Sequence, residues 1–438
     1  MNTNNSQPHA TRREFLKTAS LATATLAAPA LLPSKLFAAE SPATLRIGLI
    51  GCGGRGTGAA SNALRADANV ELVAIGDVFP EQIEKSLKAL RSEADLASKV
   101  KVTPEKCFTG FDAYQKVMDS GVDVVLLTTP PGFRPLHLKA AVAAGKHIFC
   151  EKPMAVDATG VRSVIATAEE AKKKNLSLVA GFCYRYNQGV REFMAQIHNG
   201  AIGDVRAIHT AYNTGGLWSK PRQPEWTDME WQVRNWMYFT WLSGDHIAEQ
   251  AVHNLDKMSW VMKDVPPERC MAIGGRQART ASEYGHIFDH FGVVYEYAEG
   301  VRAFHFCRQQ SNTTPDNSDY VMGADGVGHI VRSFSGPFVI RGKNNWRFKE
   351  EQKARDMYQN EHNELFASIR SGKPINDGHW MAQSTLLAVM GRLAAYTGQT
   401  ITWEEAMNSQ ENLFPEKLAW DAPISVPPVA IPGFTKLV

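Results

Sequence analysis

The chain has 438 residues, of which 44% are hydrophobic and 21% are charged, which is ordinary for a globular protein long enough to form two domains. Its formal net charge is only +2, so the composition indicates neither a nucleic acid nor a membrane surface as a partner. The six cysteines are scattered without a C-x-x-C pair. We interpret them as buried thiols, which excludes a disulfide framework and a zinc-binding cysteine cluster.

The N-terminal segment predicts an export signal. A twin-arginine pattern, TRREFLK, occupies 11–17, an apolar stretch follows at 19–32, and a small-residue site lies near 37–39. The apolar stretch is too short and too rich in Ala, Thr and Pro for stable membrane insertion. Because twin-arginine export carries folded proteins, we predict a signal peptide over 1–39, passage through that machinery and a periplasmic mature protein.

The stretch LRIGLIGCGGRGTG, at 45–58, predicts a buried strand, a glycine turn and the start of a helix. The turn fits the G-x-G-x-x-G pattern of dinucleotide-binding folds. In that pattern Gly51 permits the tight turn, Gly53 lets the backbone approach a pyrophosphate, and Gly56 allows close packing of helix and strand. The sequence therefore predicts a dinucleotide at the N-terminus of this helix.

A second strand, at 70–75, ends at Gly76-Asp77, where the ribose-binding acid of such a fold is expected. The Asp77 carboxylate would accept hydrogen bonds from the ribose hydroxyls and would repel a 2′-phosphate. This favours NAD over NADP as the cofactor. The alternative interpretation of Asp77 is a solvated acid at the end of a strand.

The alternation of strands and helices continues and predicts a parallel, doubly wound sheet, which we assign to a Rossmann domain over 40–181. Helices are predicted at 80–96, 111–120, 136–144 and 158–174, and strands at 122–127, 146–150 and 177–181. Ligands of such sheets bind at the carboxyl ends of the strands. The residues expected to bind the dinucleotide there are Gly51, Gly53, Gly54, Arg55, Gly56, Asp77, Thr129, Pro130, His137, Glu151 and Lys152.

The pattern changes near residue 204, after which strands recur without long helices between them. Strands are predicted at 205–213, 269–274, 288–297, 301–309, 320–323, 328–332 and 337–341. This is typical of an antiparallel sheet, so we predict an α+β second domain over 182–415. Two late helices, at 362–371 and 381–397, are expected to contact an earlier layer, and 416–438 is predicted to be a C-terminal arm.

A polar segment at 243–256 is the second candidate for chemistry. A helix predicted from Ile247 onward would place Glu249 and His253, four residues apart, on one face. A carboxylate beside an imidazole orients it and raises its basicity, which suits removal of a hydroxyl proton. The alternatives are a surface hydrogen-bonded pair and a metal site that includes His246. We predict no metal, because H-E-x-x-H is absent and no cysteine is near.

Half of the ten tryptophans fall between residues 218 and 241. Aromatic rings in such a loop can stack on the C–H faces of a sugar, or can serve as core or as an oligomer contact. These interpretations stay open, and we select Trp236 as a candidate substrate contact.

Three features together resemble the glucose–fructose oxidoreductase and inositol dehydrogenase (Gfo/Idh/MocA) family over about 44–400. They are the glycine turn, the strand-end tripeptide EKP at 151–153 and the pattern E-x-x-x-H-x-x-D over 249–256. The resemblance implies an α/β protein: an N-terminal Rossmann domain and a C-terminal domain with a large, mostly antiparallel open sheet. It also implies a homo-oligomer, with Lys152 as the catalytic lysine and His253 as the catalytic histidine.

The resemblance implies hydride transfer at a secondary hydroxyl of a sugar, glycoside or cyclitol. His253 would take the hydroxyl proton and Lys152 would stabilise the developing alkoxide. Glu249 stands where many family members carry Asp, and would orient His253 or bind a neighbouring hydroxyl. The expected substrate-binding residues are Tyr184, Arg185, Trp236 and Asp256. Export away from the cytoplasmic NAD pool predicts that NAD is tightly bound and retained.

Retention leaves two redox-neutral alternatives open. Oxidation of one sugar could be coupled to reduction of another. Alternatively, transient oxidation could acidify a neighbouring C–H bond and allow elimination at C1, as in NAD-dependent glycosidases. A non-catalytic sugar-binding protein is a third alternative, although a binding protein would not need both Lys152 and His253.

Overall fold

The computed structural model describes residues 43–330, 338–349 and 356–438. The predicted signal peptide and the ends of two predicted strands, at 331–332 and 337, lie outside the described residues. Within them, the chain forms two sheets and the helices that pack on these sheets. No helix in this part of the chain combines the length and the apolar character needed to cross a membrane.

The first sheet confirms the predicted Rossmann fold. Its six strands are all parallel, in the order β3-β2-β1-β4-β5-β6. The strands are β1 Leu45–Ile50, β2 Val70–Asp77, β3 Cys107–Thr109, β4 Val124–Leu127, β5 His147–Cys150 and β6 Leu178–Ala180. The helices are α1 Gly54–Ala66, α2 Pro80–Ser92, α3 Ala113–Met118, α4 Arg134–Ala143 and α5 Ala158–Lys173. All four residues of β4 are buried, as expected for a central parallel strand covered on both faces.

The second sheet has nine strands in the order β14-β13-β12-β11-β7-β10-β9-β8-β15. The strands are β7 Val205–Thr214, β8 Arg269–Gly275, β9 His290–Glu296, β10 Arg302–Gln309, β11 Asp319–Gly323, β12 Gly326–Ile330, β13 Phe338–Gly342, β14 Trp346–Arg347 and β15 Ile401–Thr402. It is mostly antiparallel, as predicted, although β7 and β10 pair in parallel. One face is buried, and the other exposes Met271, Ile273, Phe306 and Val327.

The remaining helices pack on the two sheets, and one buried hydrophobic cluster contains residues of both sheets. These helices are α6 Gln188–His198, α7 Asp228–Arg234, α8 Thr240–Ser243, α9 His246–Glu249, α10 Val252–Val261, α11 Met357–Ser371, α12 Gly378–Thr397 and α13 Trp403–Asn408. Helix α12 is buried on nearly all sides and packs against both α5 and β8. Helix α11 returns to the Rossmann domain, where the Arg370 guanidinium lies 2.7 Å from the Asp67 carboxylate.

The prediction of one continuous helix from Ile247 onward is wrong. The structure divides it into α9 and α10, because Gln250 has φ −109° and ψ −55° and breaks the regular ladder. At this break the Ala251 amide donates to the His246 carbonyl at 3.1 Å, five residues back, and the His253 amide donates to the Gln250 carbonyl at 3.4 Å. The Glu249 and His253 side chains therefore do not share a continuous helical face.

Candidate active site

A cavity of about 610 Å³ lies at the carboxyl ends of β1, β2, β4 and β5. The glycine turn and the ends of these strands form one side of it. The opposite side comes from β7, from the segment 218–236 and from the break between α9 and α10. Residues from both sheets therefore meet around one space, as expected for a doubly wound fold.

The glycines of the turn divide into two groups by the space around them. Gly51 has φ +95°, and a Cβ there would lie 2.7 Å from the Thr128 backbone, while a Cβ on Gly56 would overlap the Gly51 carbonyl oxygen. A Cβ on Gly53 or Gly54 would meet nothing within 4 Å. The fold therefore requires glycine at positions 51 and 56. Gly53 and Gly54 leave an open approach to the N-terminus of α1, and this open space fits a dinucleotide pyrophosphate.

Asp77 also lines the cavity, at the end of β2. Its Oδ2 accepts a hydrogen bond from the Cys52 amide at 2.6 Å, and its Oδ1 accepts one from the Phe79 amide at 2.9 Å. Burial raises the pKa of this carboxyl group above its usual value, and the two amides oppose that effect. Each oxygen retains a lone pair for a ribose hydroxyl.

Thr129, Pro130 and His137 line the same wall of the cavity. The Thr129 hydroxyl lies 3.2 Å from His137 Nδ1, and the His137 ring stacks on Tyr114 with centroids 4.3 Å apart. Burial, aided by the Arg134 cation, lowers the pKa of His137 to about 3, so its ring is neutral at physiological pH. His137 thus forms an uncharged aromatic wall.

Arg55 lines the cavity, yet its hydrogen bonds go to protein groups. Its Nε donates to Glu151, another of the predicted cofactor contacts, and its terminal nitrogen donates to Glu361 of α11 at 2.8 Å. The guanidinium carbon lies 4.8 Å from the centroid of the Tyr358 ring. The carboxylates of Glu151 and Glu361 thus compensate the positive charge of Arg55. Through them Arg55 links the glycine turn to the end of β5 and to α11.

Lys152 and Glu249 form a pair across the cavity. The Lys152 ammonium donates to the backbone carbonyl of Glu249 and lies 3.5 Å from its Oε1. Within the described residues no hydrogen bond joins Glu249 to His253, because Glu249 Oε2 and His253 Nδ1 are both buried without a partner. The predicted role of Glu249 as the histidine's partner is therefore corrected: its contact is Lys152.

His253 lies in the cavity wall beside this pair. Burial lowers the pKa of its imidazole well below the usual value of 6.5, and the nearby cations Lys152, Lys257 and Arg55 lower it further. The ring is packed edge-on against Tyr184, with centroids 5.5 Å apart. His253 is therefore a neutral imidazole at physiological pH, the form that accepts a proton.

The predicted substrate contacts separate in the structure. Trp236 lines the cavity, whereas Tyr184, Arg185 and Asp256 do not. The Arg185 guanidinium is bound to Asp256 at 3.0 Å and to Asp264 at 2.6 Å. The prediction for Arg185 and Asp256 is corrected, because buried charges of opposite sign satisfy each other here, away from the cavity.

Tyr184 stands behind His253 and supports it. The Lys257 ammonium lies 4.3 Å from the centroid of the Tyr184 ring, and neither residue lines the cavity. Its predicted contact with substrate is corrected to a contact with the His253 ring.

The aromatic segment divides between the core and the lining of the cavity. Trp231, Tyr238, Phe239 and Trp241 are buried in a core cluster, while Trp218 and Trp236 line the cavity. The cluster also receives the C-terminal arm, in which Trp420 lies 4.6 Å from Phe111 and 5.5 Å from Phe79 between ring centroids.

Several cavity residues were not predicted from the sequence. They are Phe79, Phe111, Tyr212, Lys220, Arg234 and Gln250. Burial and the Glu249 charge raise the pKa of Tyr212 to about 12, so its hydroxyl stays protonated. Tyr212 lies on a predicted strand, but the strand pattern did not show which side of the sheet its side chain lies on. No sequence pattern marked Gln250.

In the part of the chain that is described, no three His, Cys, Asp or Glu side chains are grouped so as to hold a metal ion.

Comparisons with known proteins agree with this arrangement. The family model for GFO_IDH_MocA, an oxidoreductase family with an NAD-binding Rossmann fold, matches residues 45–179, and the model for the GFO/IDH/MocA C-terminal domain matches 190–329. Together they match more than half of the chain. The protein therefore belongs to the Gfo/Idh/MocA oxidoreductase family.

Among its relatives is inositol 2-dehydrogenase from Azotobacter vinelandii, 29% identical over 262 residues that cover 59% of this chain and 65% of the relative. The enzyme of that name from Burkholderia cenocepacia is 27% identical over 259 residues, 59% of this chain and 66% of the relative. The matched part thus spans slightly less than two thirds of these curated relatives.

Solved structures share the fold. Aldose–aldose oxidoreductase from Caulobacter crescentus has a TM-score of 0.65 at 18% identity, covering 82% of this chain and 99% of that one. Myo-inositol 2-dehydrogenase from Lactobacillus plantarum has a TM-score of 0.63 at 18% identity, with the same coverage of both chains.

Proposed function

We propose that this protein is an NAD-dependent dehydrogenase that acts at a secondary hydroxyl of a sugar or cyclitol. The observation that carries the proposal is the meeting of Lys152, Glu249 and His253 in the cavity that begins at the glycine turn. The inositol 2-dehydrogenases among the relatives support this class of substrate.

The side chains divide the chemistry between them. When bound, NAD supplies the hydride acceptor. The neutral His253 imidazole takes the proton of the reacting hydroxyl, which contributes roughly 10²–10⁴-fold to the rate. The Lys152 ammonium, held by the Glu249 carbonyl and carboxylate, stabilises the negative charge that develops on that oxygen. Glu249 therefore acts by fixing the direction in which Lys152 points.

NAD is the proposed cofactor, and it is retained. Asp77 disfavours a 2′-phosphate at the end of β2. Phe79 and Phe111 line the cavity together with Asp77, and the Trp420 ring packs against both of them, which supports retention. Retention is compatible with the two redox-neutral alternatives, sugar–sugar coupling and NAD-dependent glycoside cleavage.

The experiment that tests this function uses purified mature protein without added nucleotide. The protein is first denatured and any released nucleotide is identified by mass. Native protein is then incubated with inositols, aldoses and glycosides, with and without NAD. NADH that accumulates with a sugar or cyclitol supports the dehydrogenase, whereas conversion without NADH indicates a redox-neutral reaction. No conversion of any substrate under either condition contradicts the proposal.

The destination and assembly of the protein belong to the same proposal. The twin-arginine pattern at 11–17 supports export to the periplasm, which cell fractionation tests. The apolar side chains on the open face of the second sheet support a homo-oligomer. Light scattering coupled to size-exclusion chromatography measures its mass, and a monomer at micromolar concentration contradicts it.

A further inference from the structure

Gln250 lies at the break between α9 and α10, directly after Glu249 in the chain, and lines the same cavity as Glu249 and His253. Its side-chain amide has two ends of opposite hydrogen-bonding character, an oxygen that accepts and an NH₂ group that donates. Which end faces the cavity decides what kind of substrate group can bind there. The hydrogen bonds behind Gln250 determine that orientation.

The chain of hydrogen bonds begins at Arg279, whose guanidinium can only donate. Its Nη1 lies 2.5 Å from Gln309 Oε1, so this oxygen must be the end of the Gln309 amide that faces Arg279. The Gln309 Nε2 is thereby directed toward Gln250 and donates to Gln250 Oε1 at 2.6 Å. Gln250 consequently accepts on its protein side and keeps its NH₂ group for the cavity.

Both residues behind Gln250 are held firmly. Arg279 and Gln309 are almost fully buried. A second guanidinium nitrogen of Arg279 donates to the Phe288 carbonyl at 2.8 Å, and the backbone N–H of Gln309 donates to the Asp289 carbonyl at 2.9 Å. Reversal of the side-chain amide of Gln309 or of Gln250 would bring two donors or two acceptors together, which is costly in a buried place.

Within the described residues, Gln250 Oε1 has its partner in Gln309, and the structure gives the Gln250 Nε2 no protein acceptor. We propose that Gln250 donates a hydrogen bond to a substrate hydroxyl next to the reacting carbon, and that Gln309 and Arg279 are positioning residues that keep it a donor. This inference rests on the proposed function. It narrows the substrate to a polyol with an oxygen at that position, because a methylene or an ammonium group offers no acceptor.

The test compares binding of polyols with binding of their deoxy analogues, so that it does not depend on turnover. Dissociation constants of myo-inositol, glucose and the monodeoxy derivatives of each are measured by calorimetry on NADH-loaded protein. In the Gln250→Leu variant, binding of the preferred polyol should weaken about tenfold. One monodeoxy derivative of that polyol, the one without the contacted hydroxyl, should bind wild type and variant equally.

Gln309→Glu tests the positioning role. A carboxylate at this position still accepts from Arg279 but cannot donate to Gln250, so the Gln250 amide should reverse and present its oxygen to the cavity. The expected result is a change of preference: the O-methyl ether of the contacted hydroxyl, which can only accept, should bind about tenfold more weakly, while the polyol changes little because its hydroxyl can donate to the exposed oxygen. A role limited to stability would lower the melting temperature without changing this preference.

The matched control is Gln310→Leu. Gln310 is the next residue along the chain and donates to Asp289 at 2.9 Å. Its loss should leave the ratio of polyol to deoxy binding unchanged. An equal loss for the polyol and all of its deoxy derivatives in Gln250→Leu would overturn the inference, as would the absence of polyol binding to wild type. Selective binding without any NADH production would instead uphold the inference and contradict the proposed dehydrogenase.

Discussion

His253 is the residue on which the proposed chemistry depends most directly. Replacing it with Asn removes the proton acceptor while keeping a polar side chain of smaller size. We expect kcat to fall by roughly 10²–10⁴-fold with nucleotide affinity unchanged, measured by steady-state kinetics and calorimetry. His198→Asn is the control, because His198 lies on α6, bonded to the Trp260 carbonyl at 2.8 Å and outside the cavity lining. Equal rates for wild type and the His253 variant would remove His253 from the mechanism.

The protonation of His253 predicts the pH dependence. Burial and the Lys152 charge hold its pKa well below 6.5, so the base form persists at physiological pH and is lost only as the pH falls through the lowered pKa. We expect kcat/KM for oxidation to be free of an acid limb between about pH 8 and 6.5. In Lys152→Met the acid limb of the residual activity should move to higher pH, because the cation that lowers the His253 pKa is gone. A wild-type acid limb centred at or above about pH 6.5 would contradict this account.

At the scale of elements, the glycine turn separates residues needed for folding from those needed for binding. Gly56→Ala should destabilise the protein by about 1–3 kcal/mol, because its Cβ would overlap the Gly51 carbonyl oxygen. Gly53→Ala should leave the melting temperature unchanged and weaken NAD binding at least about tenfold, since its Cβ enters open space that the pyrophosphate needs. Thermal unfolding and calorimetry measure the two effects, and the opposite ranking would contradict the assignment.

Some of the helices and strands could be predicted from sequence patterns, and others could not. Apart from β3, whose three residues Cys107–Thr109 were not predicted as a strand, each strand of the parallel sheet is a short apolar run followed by a polar or glycine-rich end. The order of these strands and helices, and the edge that carries the site, could therefore be predicted. The break between α9 and α10 could not. It follows Asp245, which has φ +71° and whose carboxylate accepts from the Phe288 amide and the Tyr396 hydroxyl, 43 and 151 residues away. Local periodicity contains no information about such distant partners.

The same limit explains the errors at the site. Arg185 and Asp256 are polar residues in segments that approach the cavity, which is the usual signature of substrate contacts. What excludes them is a third charge, Asp264, together with the rings of Trp260 and Trp380, 4.8 and 4.3 Å from the Arg185 guanidinium carbon. Lys152 and His253 could be predicted to share the site, but the contact between Lys152 and Glu249 depends on the helix break.

At the scale of the whole molecule, the C-terminal arm packs behind the cavity wall, where Trp420 contacts the lining residues Phe79 and Phe111. Trp420→Ala removes the ring that packs on Phe79 and Phe111, and we expect dissociation of bound nucleotide to become roughly tenfold faster. Stopped-flow fluorescence after mixing with excess competing nucleotide measures this rate. Trp346→Ala, at the edge strand β14 and against Phe193, is the control and should leave the rate unchanged. Unaltered release from the Trp420 variant would show that the arm does not retain the cofactor.

The link between Arg55 and Glu361 also has a consequence for the order of events during protein synthesis. The two residues are 306 positions apart, so the ribosome makes the glycine turn long before it makes the carboxylate that holds Arg55. A growing chain that already contains every strand of the parallel sheet still lacks α11, so Arg55 can pair with Glu151 but not yet with Glu361. Arg55 therefore gains this second carboxylate partner only after synthesis has passed residue 361.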